Sequence, residues 1–365
     1  MNELATAGKN KLVELEALRG AAAIYVFIHH AHLMANQGIG RLLYFGQEAV
    51  IVFFLLSGFV ISYSSNRQHP TWPTYIFHRA KRIYPIFIAA LALAYGSQSI
   101  IKGNWLDLNT VQLIGNTLML QDVASLKRGV WFDTYYGNSP MWSLSYEWWF
   151  YILFIPLGLN KTAFTHNRAL VGALMISIIG FIGYQINPNQ LCLFAGYFFI
   201  WWTGVEFSKE YCIRKRLSFS GQKATLFGLL LMASLWCAPV IIRLMRNGDI
   251  QLGIDPFLQF RHHAAALIFS IIGIYFSQKE IKIYRFILKP FVYLAPISYA
   301  IYLIHQPLLD VINNVGGNFP AWLTALMAFP IILLLGWLLE VKMQNLVNHV
   351  FDKSNWPLFK FYNAD

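Results

Sequence analysis

Apolar blocks of about twenty residues, the length that spans the hydrocarbon core of a bilayer as an α-helix, alternate along the chain with short polar stretches that hold most of its charge. A sliding window of about nineteen residues predicts helices near 17–36, 46–64, 83–101, 141–159, 168–186, 191–208, 222–242, 262–278, 291–309 and 320–340. The stretch from Thr110 to Leu120 is shorter and reads as an interfacial or re-entrant segment. The first block follows a polar segment without a small-residue cleavage pattern and is itself long enough to span, so it reads as a retained helix. No internal repeat is evident, so the inverted-repeat signature of many transporters is missing. The pattern predicts an all-α polytopic membrane protein: a bundle of about ten transmembrane helices over residues 1–345, then a short cytoplasmic tail, 346–365.

Composition removes the soluble alternative. Hydrophobic residues make up 57% of the 365 positions and charged residues only 12%, about half the share of a soluble globular chain. The net charge of +11 suggests nucleic acid only if the cations gather on one solvated face, and here they are spread between the apolar blocks. They report topology instead. With the N-terminus in the cytoplasm, 21 of the 28 Lys and Arg fall on the cytoplasmic side, while Arg41, Lys102, Lys127, Arg128, Arg243, Arg246 and Arg261 fall on the other. This positive-inside bias puts both termini in the cytoplasm. Cys192, Cys212 and Cys237 are odd in number and lack metal-ligand spacing, which indicates neither a disulfide framework nor a zinc site. The longest connection, Lys102 to Pro140, carries Trp105, Trp131, Tyr135 and Tyr136, aromatics suited to the outer interface or to stacking on a ligand.

Ionisable side chains at bilayer depth cost several kcal/mol unless they face a protein interior, so they are the candidates for function. Arg19 and His30 are eleven residues apart on the first helix, and eleven steps of about 100° return to within about 20° of three turns. They share a face, with about 16 Å between them along the axis. Arg19 falls near the cytoplasmic rim and His30 near mid-membrane, with the small residues Ala22 and Ala23 between; simple hydrogen bonding between helices is an equal reading for a lone histidine. His29 and His32 lie on other faces, so three histidines do not converge on a metal ion.

In Tyr75-Ile76-Phe77-His78-Arg79-Ala80-Lys81-Arg82, Arg79 and Arg82 are three apart, so a helical turn points both guanidinium groups the same way, suited to phosphate oxygens; an ordinary lipid-facing basic loop is the plainer reading. Ser143, Glu147 and Tyr151 form an i, i+4, i+8 stripe. Glu147 has no cation nearby in sequence and therefore needs a partner on another helix, a proton or a wet cavity. Ser298, Tyr302 and His305 form a second stripe, with a structural role for His305 favoured. Ser57 lacks the preceding glycine of a nucleophile elbow, and its pairing with Gly58 reads as close helix packing.

Five segments in this order resemble the integral-membrane family often called acyltransferase type 3. They are Leu18-Arg19-Gly20 followed by His30, the Phe-Phe-x-x-Ser-Gly-Phe run from Phe53 to Phe59, Arg79-x-x-Arg82-Ile83-Tyr84-Pro85, Trp142-Ser143-Leu144 through Glu147 to Phe150-Tyr151, and Ser298-Tyr299 through His305 to Pro307. The family often has a glycine before the valine that precedes its Phe-Phe run, where this chain has Ala49-Val50. The resemblance covers nearly the whole chain and implies an O-acyltransferase of the bacterial cytoplasmic (inner) membrane that acylates polysaccharides or lipid-linked sugars. It implies acyl-CoA as co-substrate, acetyl-CoA by default, with no bound cofactor and no metal. Its partners are the acyl-CoA donor, a carbohydrate or lipid-linked sugar acceptor and the bilayer, with no nucleic acid. On that reading Arg79 and Arg82 bind the donor, His30 is the general base, Arg19 and Glu147 assist it, and Ser143, Tyr151, His305 and Ser57 are acceptor-side or structural candidates. A multi-pass transporter or flippase using His30, Glu147 and His305 as a proton or substrate path is the alternative; a membrane polysaccharide polymerase would need a larger outer loop.

Overall fold

A computed structural model describes residues 2–31, 45–159, 166–247, 251–279, 287–315 and 320–353. His32, Arg41, Lys161, Lys282, Arg285 and Lys360 lie outside these residues. Of the described residues 84% are helical. In chain order the helices are α1 (Asn2–His30), α2 (Gly46–Gln68), α3 (Trp72–Lys102), α4 (Thr110–Thr117), α5 (Trp142–Phe154), α6 (His166–Ile186), α7 (Gln190–Arg214), α8 (Lys223–Asn247), α9 (Phe257–Gln278), α10 (Ser298–Val315), α11 (Ala321–Trp337) and α12 (Gln344–Lys353).

Among the described residues seven helical stretches are long and apolar enough to cross a membrane: α2, α3, α6, α7, α8, α9, and α11 running on to Phe351. The other three predicted spans fall on α1, α5 and α10, and each has a physical reason to fall short. Helix α1 carries Glu14, Glu16 and Arg19, and its predicted span runs past Ala31. Helix α5 has only 13 residues before the chain widens into a π turn over Ile155–Leu159. Helix α10, entered through two 3₁₀ turns, Lys289–Tyr293 and Ala295–Ile297, is long enough at 18 residues but carries His305, Gln306, Asp310, Asn313 and Asn314, which make it too polar. A second π turn, Leu338–Met343, joins α11 to α12 without a break, so the helix passes through the predicted start of the tail.

Helix α7 is apolar around its circumference, and such helices are buried; Tyr197, Phe198, Trp201 and Trp202 are all fully buried. It crosses α2 where both helices have glycine. A Cβ on Gly58 would stand 2.0 Å from the Trp201 carbonyl oxygen, and one on Gly204 would stand 2.0 Å from that of Leu55. The two backbones therefore touch, as small residues allow in membrane bundles. That contact brings Ser57 against Trp201.

The long connection between α3 and α5 folds onto one end of the bundle. Gln121–Asp122 (β1) and Phe132–Asp133 (β2) pair in parallel, Gln121 opposite Phe132. The Thr110–Leu120 segment forms the short α4, capped by Asn109, whose Oδ1 accepts from the Gln112 amide at 3.0 Å. The loop is fastened by a buried ion pair: Lys127 Nζ lies 2.9 Å from Asp122 Oδ1 and 3.9 Å from the Trp142 ring centroid. Burial pushes the Lys127 ammonium below the usual lysine range, and the Asp122 carboxylate opposes that shift. Of the loop aromatics, Trp105 and Trp131 are exposed, whereas Tyr135 is buried and the Tyr136 hydroxyl donates to the Asp107 carbonyl at 2.6 Å. The two tyrosines also pack edge-on against each other, ring centroids 4.7 Å apart.

Candidate active site

Arg19 and His30 both reach α10 and the turn leading into it. Arg19 Nε donates to Ser298 Oγ at 3.1 Å, and its Nη2 donates to the Ala295 carbonyl at 2.8 Å while pairing with Glu16 at 2.8 Å. Two turns further along α10, His305 Nε2 lies 3.2 Å from His30 Nδ1. Ala22, Ala23 and Val26, on and beside the intervening face of α1, are buried.

The two arginines of α3 are used differently, although their spacing points them the same way. Arg82 Nη2 is ion-paired to Glu340 in the second π turn, and its guanidinium lies 5.8 Å from the Tyr299 ring centroid. Glu340 also accepts from the Ala300 amide at 3.0 Å, so one buried carboxylate ties α3 to α10. Arg79 lies 5.7 Å from the Tyr75 ring centroid, and among the described residues its buried Nε has no hydrogen-bond partner.

Ser143, Glu147 and Tyr151 face inward on α5 as their spacing predicts. The Ser143 hydroxyl bonds that of Tyr302 at 2.8 Å. Glu147 Oε1 accepts from both Ser57 Oγ and the Tyr151 hydroxyl. Ser57 Oγ in turn accepts from Trp201 Nε1 at 3.1 Å. The partner that Glu147 required on another helix is therefore Ser57. It is not His30, whose neighbour across the bundle is His305.

These groups converge on a cavity of about 180 Å³. Arg19, Ser57, Arg79, Arg82, Ser143, Glu147 and Tyr151 line it, together with Phe53, Tyr299 and Tyr302. His30 and His305 do not. They stand behind its wall: Tyr302 lines the cavity, its ring centroid is 6.1 Å from that of His305, and His305 is 4.9 Å from His30. A family model described as an acyltransferase domain matches residues 12–341. The chain belongs to the acyltransferase 3 family. One curated relative, acyltransferase MdmB of Streptomyces mycarofaciens, is 31% identical over 160 residues, which is 40% of this chain and 38% of that protein. The chain thus matches well under half the length of this relative. No solved structure matches the chain.

Two partners of the site residues, Glu340 and Trp201, were not singled out by the sequence. Glu340 closes the last apolar block, and its position at the end of a span that includes no other carboxylate is the signal that could have found it. Trp201 lies in an aromatic run that offers no reason to single out one indole. Both act through partners on other helices, which periodicity within one helix does not report.

Proposed function

We propose that the protein moves an acyl group, acetyl by default, from cytoplasmic acyl-CoA to a hydroxyl of a cell-surface, exported or lipid-linked saccharide. The observation that carries this reading is a cavity in which Arg79, whose buried Nε has no hydrogen-bond partner among the described residues, meets Arg19 and the Glu147 carboxylate. Cationic donors suit the phosphates of the donor, and the cavity continues inward to Tyr302, next to the histidine pair. On this reading the bundle has ten crossings over residues 1–345, both termini in the cytoplasm, and sits in a bacterial inner membrane.

The chemistry balances without a cofactor. The acceptor oxygen forms a bond to the thioester carbonyl carbon and the C–S bond breaks. The hydroxyl proton passes to His30 and from there to the departing thiolate, which leaves as the free thiol. A neutral imidazole has a suitable basicity near neutral pH, and such a base contributes roughly a hundredfold to ten-thousandfold in rate. Arg19 stabilises negative charge on the thioester oxygen or orients the donor. For the thioester to meet His30, the Tyr302 side chain that lines the cavity beside His305 turns aside.

Purified protein in detergent, given acetyl-CoA and a crude cell-envelope glycan extract, should release coenzyme A only when the acceptor is present. His30→Ala and Arg19→Ala should stop release while eluting as folded protein. Normal product from either variant removes the role assigned to that residue, and solute flux into vesicles without chemical change would make the protein a carrier.

A further inference from the structure

The fully buried His305 is close enough to His30 to decide which of that ring's nitrogens holds the proton. His305 Nδ1 is 3.0 Å from the Ile301 carbonyl oxygen. A carbonyl only accepts, so in the neutral ring Nδ1 carries the hydrogen and Nε2 is left as a lone pair. That lone pair faces His30 Nδ1 at 3.2 Å. His30 Nδ1 faces a second acceptor as well, the Val26 carbonyl oxygen at 3.0 Å. With both rings neutral, two acceptors on one nitrogen place the His30 proton on Nδ1, shared between them. The reverse arrangement would set the lone pair of His305 Nδ1 against that of the Ile301 carbonyl.

We propose that His305 is a positioning residue that holds His30 in its Nδ1–H form, so that Nε2 is the nitrogen that takes the acceptor's proton. This deepens the assignment of His30 as the base and rests on it. As Nε2 gains the proton the ring becomes cationic, and the His305 lone pair, aimed at Nδ1–H, bears on the charge that develops. Orientation of a reacting imidazole through its second nitrogen is how catalytic and metal-bound histidines are commonly held. Phe27, edge-on to His305 at 6.5 Å between centroids, and Tyr302 fix the His305 ring.

Nitrogen-15 NMR of imidazole-labelled protein in nanodiscs reads the tautomers directly, with His30→Gln and His305→Gln assigning the two signals. The expected result is a proton on Nδ1 of both rings; a His30 ring protonated on Nε2 instead overturns the proposal whatever the activity. In the acetyl-CoA assay with the glycan extract, His305→Phe, which keeps the ring volume but has no acceptor, should lower kcat by at least about tenfold with KM for acetyl-CoA unchanged. His305→Gln, whose Oε1 replaces the Nε2 lone pair, should recover most of that loss. A His305→Phe enzyme at full kcat, or a His305→Gln enzyme no better than His305→Phe, also overturns it. His30→Ala run beside them separates the two claims: an active His30→Ala removes the base itself, whereas an inactive one beside a fully active His305→Phe removes only the positioning role.

Discussion

Arg82 and Glu340, 258 residues apart in the chain, form an ion pair that joins α3 to the π turn after α11. The pairing divides two arginines that sequence spacing treats alike. Arg79→Ala should raise KM for acetyl-CoA about tenfold, equivalent to roughly 1.4 kcal/mol of binding, with little change in melting temperature. Arg82→Ala should act mainly on stability. Stranding a carboxylate in a closed interior costs about 3–5 kcal/mol, but the Arg82 side chain is 40% exposed, and solvent screening reduces the expected loss to about 1 kcal/mol. Steady-state kinetics and thermal melts of the two variants give the comparison; equal KM effects with equal melting temperatures would contradict the division.

Ser57, Glu147 and Trp201 should behave as one unit. Glu147→Gln is expected to lower kcat on the order of a hundredfold, comparable to the loss of one preorganised electrostatic group. Ser57→Ala removes the hydroxyl that donates to the same carboxylate oxygen, and the double variant should be no worse than the more damaged single one, because contacting residues are non-additive. Losses that simply multiply would show that the two side chains work independently.

Substitution at the α2–α7 crossing tests the fold. Gly58→Ala drives a methyl into the Trp201 carbonyl, and overpacking of this kind costs about 1–3 kcal/mol. The melting temperature should fall, with tryptophan fluorescence following the displaced Trp201. A variant that melts like the wild type would mean that the helices part at no cost.

The fastening of the long loop gives the last test. Lys127 and Asp122 are both almost completely buried, so Lys127→Met leaves an unpaired buried carboxylate and should destabilise by about 3–5 kcal/mol. Lys127→Met combined with Asp122→Asn should recover much of the loss in the same melting experiment. No recovery would assign the cost to packing against Trp142 alone.

What the sequence made legible follows from what it encodes locally. Each apolar block fell on a helix, because burial in lipid or protein requires such blocks and the backbone must satisfy its own hydrogen bonds there. The stripe Ser143, Glu147, Tyr151 faced one cavity, because three residues four apart on a helix have little choice. Pairings between helices were not legible: Arg82 with Glu340, Ser57 with Glu147 and His30 with His305 each depend on how helices dock, and hydropathy says nothing about that. The same limit explains Arg79 and Arg82, equivalent by spacing and unequal once Glu340 arrives from the far end of the chain.

Phe53 and Tyr302, with ring centroids 5.6 Å apart, both line the cavity, and Tyr302 separates it from the histidines. The two rings stand side by side in a lining that otherwise carries several charged groups, so a change of rotamer at either one alters what an occupant of the cavity touches and how near it comes to the histidines.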